Sequence, residues 1–177
     1  MNYYTGIGAR KTPKEICEKM TEIATILESM NYILRSGGAN GADKAFEDGV
    51  LNNHKRNMKE IYLPWKGFND NPSIFISPTE EAFEIASTIH PAWDKLSFGA
   101  KKLHARNVHQ VLGMDCKTPS QFLVCWTEDA KIKGGTATAI NLAKGNDILV
   151  CNLASDLFVN ESALTIVTYL TTTFGLF

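Results

Sequence analysis

Two spacings of apolar residues alternate along the chain. Short apolar runs such as Phe122–Trp126 have the length and the aromatic or branched character of buried strands. Between them lie longer segments in which apolar residues recur every three or four positions, as they do on one face of a helix. The predicted strands are 2–5, 32–34, 61–63, 122–126 and 148–152, and the predicted helices are 13–30, 42–52, 79–87, 98–112, 136–143 and 162–170.

The order of these elements predicts the fold class. Strands separated by helices imply right-handed crossovers and a parallel sheet that is covered on both faces. We therefore expect an α/β fold of three layers with a central, mostly parallel sheet, in which Phe122–Trp126 is a central strand. The 177 residues fit one domain, residues 1–177. Thr12 and Glu15, three residues apart, predict a capping box at the start of the first helix.

Charge and composition disfavour several classes of protein. The chain has 18 Lys and Arg against 19 Asp and Glu, so it lacks the basic excess typical of a domain that binds nucleic-acid phosphates. No apolar stretch approaches the roughly 18–20 residues that span a bilayer, and the first residues lack the pattern of a signal peptide. The four cysteines have no metal-ligand spacing and are typical of reduced core residues. We expect a cytoplasmic protein with no membrane partner, for which nucleic acid is a disfavoured partner.

Three glycine-rich segments are expected at strand ends. They are Gly6-x-Gly8-x-Arg10, Ser36-Gly37-Gly38-Ala39-Asn40-Gly41 and Gly134-Gly135-Thr136. Glycine lets a ligand approach the main chain closely, and the N-terminus of the following helix presents unpaired N–H groups to an anion. The carboxyl ends of parallel strands share one edge of the sheet. Three such turns on one edge therefore favour an anion-binding site over three tight connections, with Arg10 adding a charge and Ser36 and Thr136 adding hydroxyl donors.

Charged residues on two of the predicted helices leave alternatives open. Asp43 suits either a hydrogen bond from a ribose hydroxyl or the stabilisation of the first turn of its helix, whereas Glu47 is expected at the surface. Arg106 lies among apolar neighbours and needs a partner, either a buried carboxylate or a bound phosphate, and we favour the phosphate. The nearby His104 and His109 suit either proton transfer or a structural role.

Aromatic residues offer further candidate contacts. Trp126 follows the predicted central strand and is expected to line a pocket. Trp65, Phe68 and Trp93 are predicted in loops, where they would either stack on a base or, as is commoner, cover the core. The sequence has no metal-ligand cluster, Walker turn or Ser-His-Asp elbow. We therefore expect no cofactor, no metal and no catalytic residue.

The glycine-rich segments together resemble a known family. Tyr4-Thr5-Gly6-Ile7-Gly8-Ala9-Arg10, Ser36-Gly37-Gly38-Ala39-Asn40-Gly41-Ala42-Asp43 and Gly134-Gly135-Thr136-x-x-Ala139-Ile140 are similar to the SLOG superfamily, especially to short stand-alone phage versions of its DNA-processing DprA/Smf-like branch. The resemblance covers roughly residues 3–152. It implies a Rossmann-like fold, a homo-oligomer and a pocket at the strand carboxyl ends. The ligand-binding residues it implies are Gly6, Gly8, Arg10, Ser36, Gly37, Gly38, Asp43, Gly134, Gly135 and Thr136, to which Arg106 and Trp126 are added from the residue pattern.

The same superfamily includes the Lonely Guy-type phosphoribohydrolases, which cleave a base from a nucleoside monophosphate. Their pattern, Pro-Gly-Gly-x-Gly-Thr-x-x-Glu, has a glutamate where this chain has Ala139, although Arg106 is similar to the arginine on their earlier helix. An oxocarbenium-like transition state needs a nearby carboxylate. The alanine therefore argues against turnover unless Glu128 or Asp129 substitutes.

Three functions follow as hypotheses. The first is binding, without turnover, of a nucleotide or nucleotide-derived signal such as an ADP-ribose-like or cyclic species; in a phage this would sequester an immune signal in the host cytoplasm. The second is nucleoside-phosphate N-glycosidase activity. The third is binding of single-stranded DNA through Lys55-Arg56, Lys101-Lys102, Lys131 and Lys133. Near-neutral charge and the lack of a winged-helix pattern after Asn152 disfavour the third.

Overall fold

The computed structural model describes residues 1–51 and 58–174, in which strands and helices alternate. The strands are β1 (Asn2–Gly8), β2 (Tyr32–Ser36), β3 (Lys59–Ile61), β4 (Phe122–Trp126) and β5 (Leu149–Asn152). The helices are α1 (Lys14–Ser29), α2 (Ala42–Leu51), α3 (Glu80–Ile89), α4 (Phe98–Leu112), α5 (Thr136–Gly145) and α6 (Ala163–Phe174). Short 3-10 helices occur at Phe68–Asp70, Trp93–Lys95 and Glu128–Ala130.

The five strands form one parallel sheet in the order β3-β2-β1-β4-β5. The chain therefore builds the sheet outward from β1 in one direction and then returns to place β4 on the other side of β1. This reversal lies between β1 and β4, where Gly8 is the partner of Trp126. In open α/β sheets, ligands bind outside the carboxyl ends of the strands at such a switch point.

Helices cover both faces of the sheet, which confirms the three-layer α/β fold that the alternation of strands and helices predicts. One hydrophobic cluster joins the sheet to α1, α2 and α6, and a second joins it to α3, α4 and α5. Phe122 and Val124 belong to the first cluster, whereas Leu123 and Cys125 belong to the second. Successive residues of a strand point to opposite faces. The continuous apolar run of β4 is thus explained by burial on both sides.

Some element bounds differ from those predicted. β1 continues to Gly8, so that both of its glycines lie in the strand rather than in a turn. β3 ends at Ile61, and Leu63 forms only an isolated bridge with Ile76. The capping box is wrong, because the Thr12 hydroxyl donates to the carbonyl of Ala9 (2.7 Å) and no side chain caps α1.

None of the helices in the described part of the chain combines the length and the apolar character needed to cross a membrane. The four cysteines of the chain are free thiols, and Cys125 and Cys151 are fully buried. Burial raises the pKa of the Cys151 thiol to about 12, which keeps it protonated and unreactive. This agrees with the prediction that these two cysteines are core residues.

Candidate functional site

A cavity of about 660 Å³, here called the main cavity, opens between the carboxyl ends of β1 and β4. Its volume lies in the range of small-molecule sites, and its position is the switch point of the sheet. Its rim is formed by residues 7–11 at and beyond the end of β1, 126–128 at the end of β4 and 133–136 at the start of α5. The remaining lining residues come from the turn before α2, from the first turn of α2 and from one face of α4: Ala39, Asp43, Ala100, Leu103, His104, Arg106, Asn107 and Gln110.

Gly8 allows helix α2 to pack close to the floor of the main cavity. A Cβ atom on Gly8 would lie 2.7 Å from the Cβ of Ala42 and 3.1 Å from the carbonyl oxygen of Trp126. Both distances are below normal van der Waals contact, so a larger residue would push α2 or β4 away. The glycine thus serves the close approach of β1, α2 and β4 that forms the site.

The turn before α5 presents main chain to the main cavity with open space around it. Gly134 has a left-handed backbone (φ +68°), and Gly135 stands at the N-cap of α5 without any side-chain cap. Apart from chain neighbours, no atom of the described residues lies within 4 Å of a Cβ built at either position. The carbonyl of Gly135 accepts a hydrogen bond from Nδ2 of Asn107 (2.7 Å), which fixes the turn to α4. The uncapped amides of α5 and its dipole favour an anion here.

Two cations at the rim form no salt bridge among the described residues. Arg10 and Lys11 line the main cavity, and neither forms a salt bridge with any residue of 1–51 or 58–174. Lys133 also lines the cavity, but its Nζ lies 2.8 Å from the carboxylate of Glu128. A bound anion would therefore meet the charges of Arg10 and Lys11 without displacing an existing ion pair.

Arg106 reaches the main cavity from α4 and is only partly satisfied by the protein. Its Nη1 donates to the carbonyl of Gly37 and lies 3.6 Å from Oδ2 of Asp43. Its Nε is buried without a hydrogen-bond partner in the described residues, and the side chain is only 8% exposed. Of the two partners considered for Arg106, the structure therefore supplies the buried carboxylate, while a bound phosphate stays a prediction.

Asp43 stands in the first turn of α2, at the inner end of the main cavity. Burial raises the pKa of its carboxyl group, and the charge of Arg106 opposes this rise. The main-chain N–H of Ala39 donates to Oδ2 of Asp43 at 3.3 Å. The carboxylate thus helps to stabilise the start of α2 and pairs with Arg106. Burial also lowers the pKa of Arg106, but a guanidinium starts from so high a pKa that it stays protonated.

His104 lies on the wall of the main cavity as a neutral imidazole. Burial lowers its pKa, and the charges of His90 and Arg106 add to this effect. Its Nδ1 lies 2.8 Å from the hydroxyl of Thr138, and its ring centroid lies 4.4 Å from that of His90. Its Nε2 has no hydrogen-bond partner in the described part of the structure and can donate to or accept from a ligand.

The structure brings eight of the twelve predicted ligand-binding residues together in the wall of the main cavity. They are Gly8, Arg10, Asp43, Arg106, Trp126, Gly134, Gly135 and Thr136. The other four, Gly6, Ser36, Gly37 and Gly38, do not line it. The protein's own groups occupy the space beside the three glycines, and the Ser36 hydroxyl is bonded to the main chain.

Close packing explains the position of these four residues. The hydroxyl of Ser36 donates to the carbonyl of Gly6 (2.6 Å) and joins β2 to β1. A Cβ on Gly6 would lie 2.7 Å from the ring of Phe46. A Cβ on Gly37 would lie 1.5 Å from Nη1 of Arg106, and one on Gly38 would meet Leu63 at 2.9 Å.

Other candidate residues have structural surroundings. Glu47 is buried, and its carboxylate lies 2.8 Å from Nζ of Lys59, so the prediction that it is exposed is wrong. The ring of His109 accepts a hydrogen bond from the main-chain N–H of Thr79 (3.1 Å) outside the main cavity. Phe68 belongs to the first hydrophobic cluster and Trp93 packs against the second. These aromatic residues therefore cover the core rather than the cavity.

Sequence reasoning missed several residues of the main cavity. Ala100, Leu103, Asn107 and Gln110 are spaced by three or four positions on α4 and form one face of it. Small and amide residues that recur at helical spacing would have indicated that this face of α4 lines a polar cavity. Lys11 has no such signal, because its position depends on the path of the chain after β1.

Comparison with known proteins found no match, so a function can be proposed only from the geometry of the site. No protein-family model matches the chain, and no curated protein or solved structure shows significant similarity to it. Within residues 1–51 and 58–174 no group of three or more His, Cys, Asp or Glu side chains is arranged to hold a metal ion.

Proposed function

We propose that this protein binds a nucleotide or nucleotide-derived signalling molecule in the main cavity, with a phosphate group at the turn before α5. One observation carries the proposal: an uncapped helix N-terminus lies at the switch point of a parallel sheet, together with two cations that form no salt bridge among the described residues. Main-chain amides at a helix start and a positive charge together are the usual means of holding a phosphate. Gly135, Thr136 and Arg10 would make these contacts.

The other surfaces of the main cavity suit the rest of a nucleotide. Ile7, Leu103 and the edge of Trp126 provide apolar contact for a base or a sugar. Asp43 and Arg106 also line the main cavity and contribute a carboxylate and a guanidinium to its wall. Such a pair fits the hydroxyls of a sugar or a second anionic group. This arrangement supports the same ligand class that the resemblance to the SLOG superfamily implies.

Binding without turnover is part of the proposal. The two carboxylates that line the main cavity are each paired, Asp43 with Arg106 and Glu128 with Lys133. Ala139, which stands where phosphoribohydrolases have a glutamate, is fully buried in the second hydrophobic cluster. A carboxylate free to stabilise an oxocarbenium-like transition state is thus lacking in the described lining. In a phage, stoichiometric binding of this kind would withdraw a host immune signal.

The basic residues considered for DNA binding give less support to that function. Lys55 and Arg56 lie outside the described residues. The ammonium groups of Lys101 and Lys102 lie over the rings of Trp93 and Phe98, at 5.4 and 4.9 Å from the ring centroids. Lys131 and Lys133 pair with acidic neighbours. Local partners therefore account for the lysines of this set that the structure describes.

The proposal is tested by incubating the protein with ADP, ADP-ribose and cyclic mononucleotides, followed by denaturation and chromatography of the released ligand. We expect unchanged nucleotide in a 1:1 ratio to protein. Free base or ribose phosphate would instead support the hydrolase. Absence of binding to every nucleotide would contradict the proposal, and a salt-sensitive shift of single-stranded DNA would favour the DNA-binding alternative. Light scattering of the same samples tests the proposed homo-oligomer.

A single charge change tests the phosphate contact directly. Arg10→Ala should weaken ADP binding by about tenfold or more, since a charge-assisted hydrogen bond contributes roughly 1.5–3 kcal/mol. Lys14→Ala is the matched control, because Lys14 is an exposed cation near Arg10 in the chain, has Glu18 as its partner and does not line the main cavity. Titration calorimetry measures both variants. Equal affinities for the two would exclude Arg10 from the site.

A further inference from the structure

A second cavity of about 430 Å³ adjoins the main one and is not used by the site described so far. It lies between the end of α3, the middle of α4 and the first turns of α5. Its own walls are Ile89, His90, Pro91, Ile132, Ala137, Thr138 and Asn141. A nucleoside monophosphate held in the main cavity would leave this space unfilled.

The two cavities meet at the proposed phosphate position. His104, Lys133, Gly134 and Gly135 line both of them. The two glycines have open space where side chains would stand, so that the boundary consists of bare main chain, the imidazole of His104 and the side chain of Lys133. A ligand that crosses this boundary meets no side chain at Gly134 or Gly135. A larger side chain at either glycine would narrow the passage between the two cavities.

The chemistry of the second cavity suits a neutral polar group. Its lining in the described residues includes no carboxylate, and its one ammonium group, that of Lys133, stands at the boundary. Ile89, Pro91 and Ile132 give apolar walls, and Asn141 has an amide that forms no hydrogen bond within the described residues. An amide both donates and accepts. Apolar walls with one amide fit a sugar or a heterocyclic base.

We propose that the ligand is a two-ended nucleoside diphosphate, in which a second sugar-type group on the terminal phosphate enters the second cavity. This inference rests on the proposed function, since the phosphates must lie at Gly134 and Gly135 for the second group to cross the boundary. The nucleoside stays in the main cavity, the phosphates lie beside Arg10 and the start of α5, and the second group contacts Asn141 and Ile132. Mononucleotides and small cyclic nucleotides fill only one of the two cavities.

The experiment compares ADP with ADP-ribose by titration calorimetry, because these probes share one end and differ in the other. The native protein should bind ADP-ribose about tenfold or more tightly than ADP, a difference of about 1.4 kcal/mol. Ala137→Leu narrows the second cavity from α5 and should abolish this difference while the affinity for ADP changes less than about twofold. Lys144→Leu is the control, because it adds the same side chain to α5 outside both cavities.

Each outcome decides the proposal. Equal affinity of the native protein for the two probes, or an equal loss for both in Ala137→Leu, would overturn the two-ended ligand while leaving nucleotide binding intact. Absence of ADP binding to the native protein would overturn the proposed function as well. Asn141→Ala gives a second measurement that does not add volume: a selective loss of ADP-ribose affinity supports the proposal, and an unchanged ratio contradicts it.

Discussion

Two glycine pairs that look alike in the sequence have opposite surroundings in the structure. The space around Gly37 and Gly38 is occupied by Arg106 and Leu63, whereas the space around Gly134 and Gly135 is open to both cavities. Both pairs lie between a strand and a helix, although the 3-10 helix Glu128–Ala130 separates β4 from Gly134. The first pair therefore serves packing and the second is available for a ligand. A glycine-rich turn by itself indicates close approach to the main chain, and the tertiary structure decides whether protein or ligand makes that approach.

The two arginines of the main cavity differ in the same way: one is held by the protein and the other is available to a ligand. Substituting them gives the largest expected difference in stability. Arg106 neutralises a buried carboxylate, whereas Arg10 is exposed and has no salt-bridge partner among the described residues. Arg106→Met should lower the free energy of unfolding by about 3–5 kcal/mol, because Asp43 is left buried and uncompensated. Arg10→Met should change it by less than about 0.5 kcal/mol. Urea denaturation of both variants checks this, and similar losses in the two would contradict the division.

The glycine pairs themselves give an effect of intermediate size. Gly37→Ala places a methyl group against the guanidinium of Arg106 and should cost about 1–3 kcal/mol of the free energy of unfolding. Gly135→Ala is the matched change in the open turn. Gly135 already has helical backbone angles (φ −62°, ψ −33°), so alanine should be neutral or stabilising by up to about 1 kcal/mol. If Gly135→Ala destabilised the protein as much as Gly37→Ala, the turn before α5 would not be open.

The smallest effect concerns the pH dependence of stability at the boundary between the cavities. The pKa of His104 in the folded protein lies below its ordinary value of about 6.5 because of burial. The unfolded chain therefore binds this proton more tightly, and the stabilisation present above pH 6.5 is lost as the pH falls through the folded pKa. His104→Gln keeps a group that can bond Thr138 but cannot be protonated, so its free energy of unfolding should fall less between pH 7 and 5. Parallel curves for the variant and the native protein would show that His104 is not responsible.

Several features of the site were predicted from local pattern alone. The bounds of α4 and β4 agree with those predicted, since both elements have strong periodicity and clear ends. The start of α1 was predicted wrongly, because the Thr12 hydroxyl bonds backward to Ala9 rather than forward into the helix. The burial of Glu47 also escaped the sequence, because its partner Lys59 lies on β3 and is brought near only by the parallel sheet.

The sequence by itself determined the alternation of strands and helices, the two-sided burial of β4 and the glycine-rich segments before α2 and α5. These follow from interactions between residues close in the chain and from the period of apolar side chains. Only the tertiary structure decided which turn faces a cavity, because that depends on α4. This helix brings Arg106 into the turn after β2 and His104 to the turn before α5. The order of strands, with β4 beside β1, opens the crevice between them, and no local pattern fixes that order.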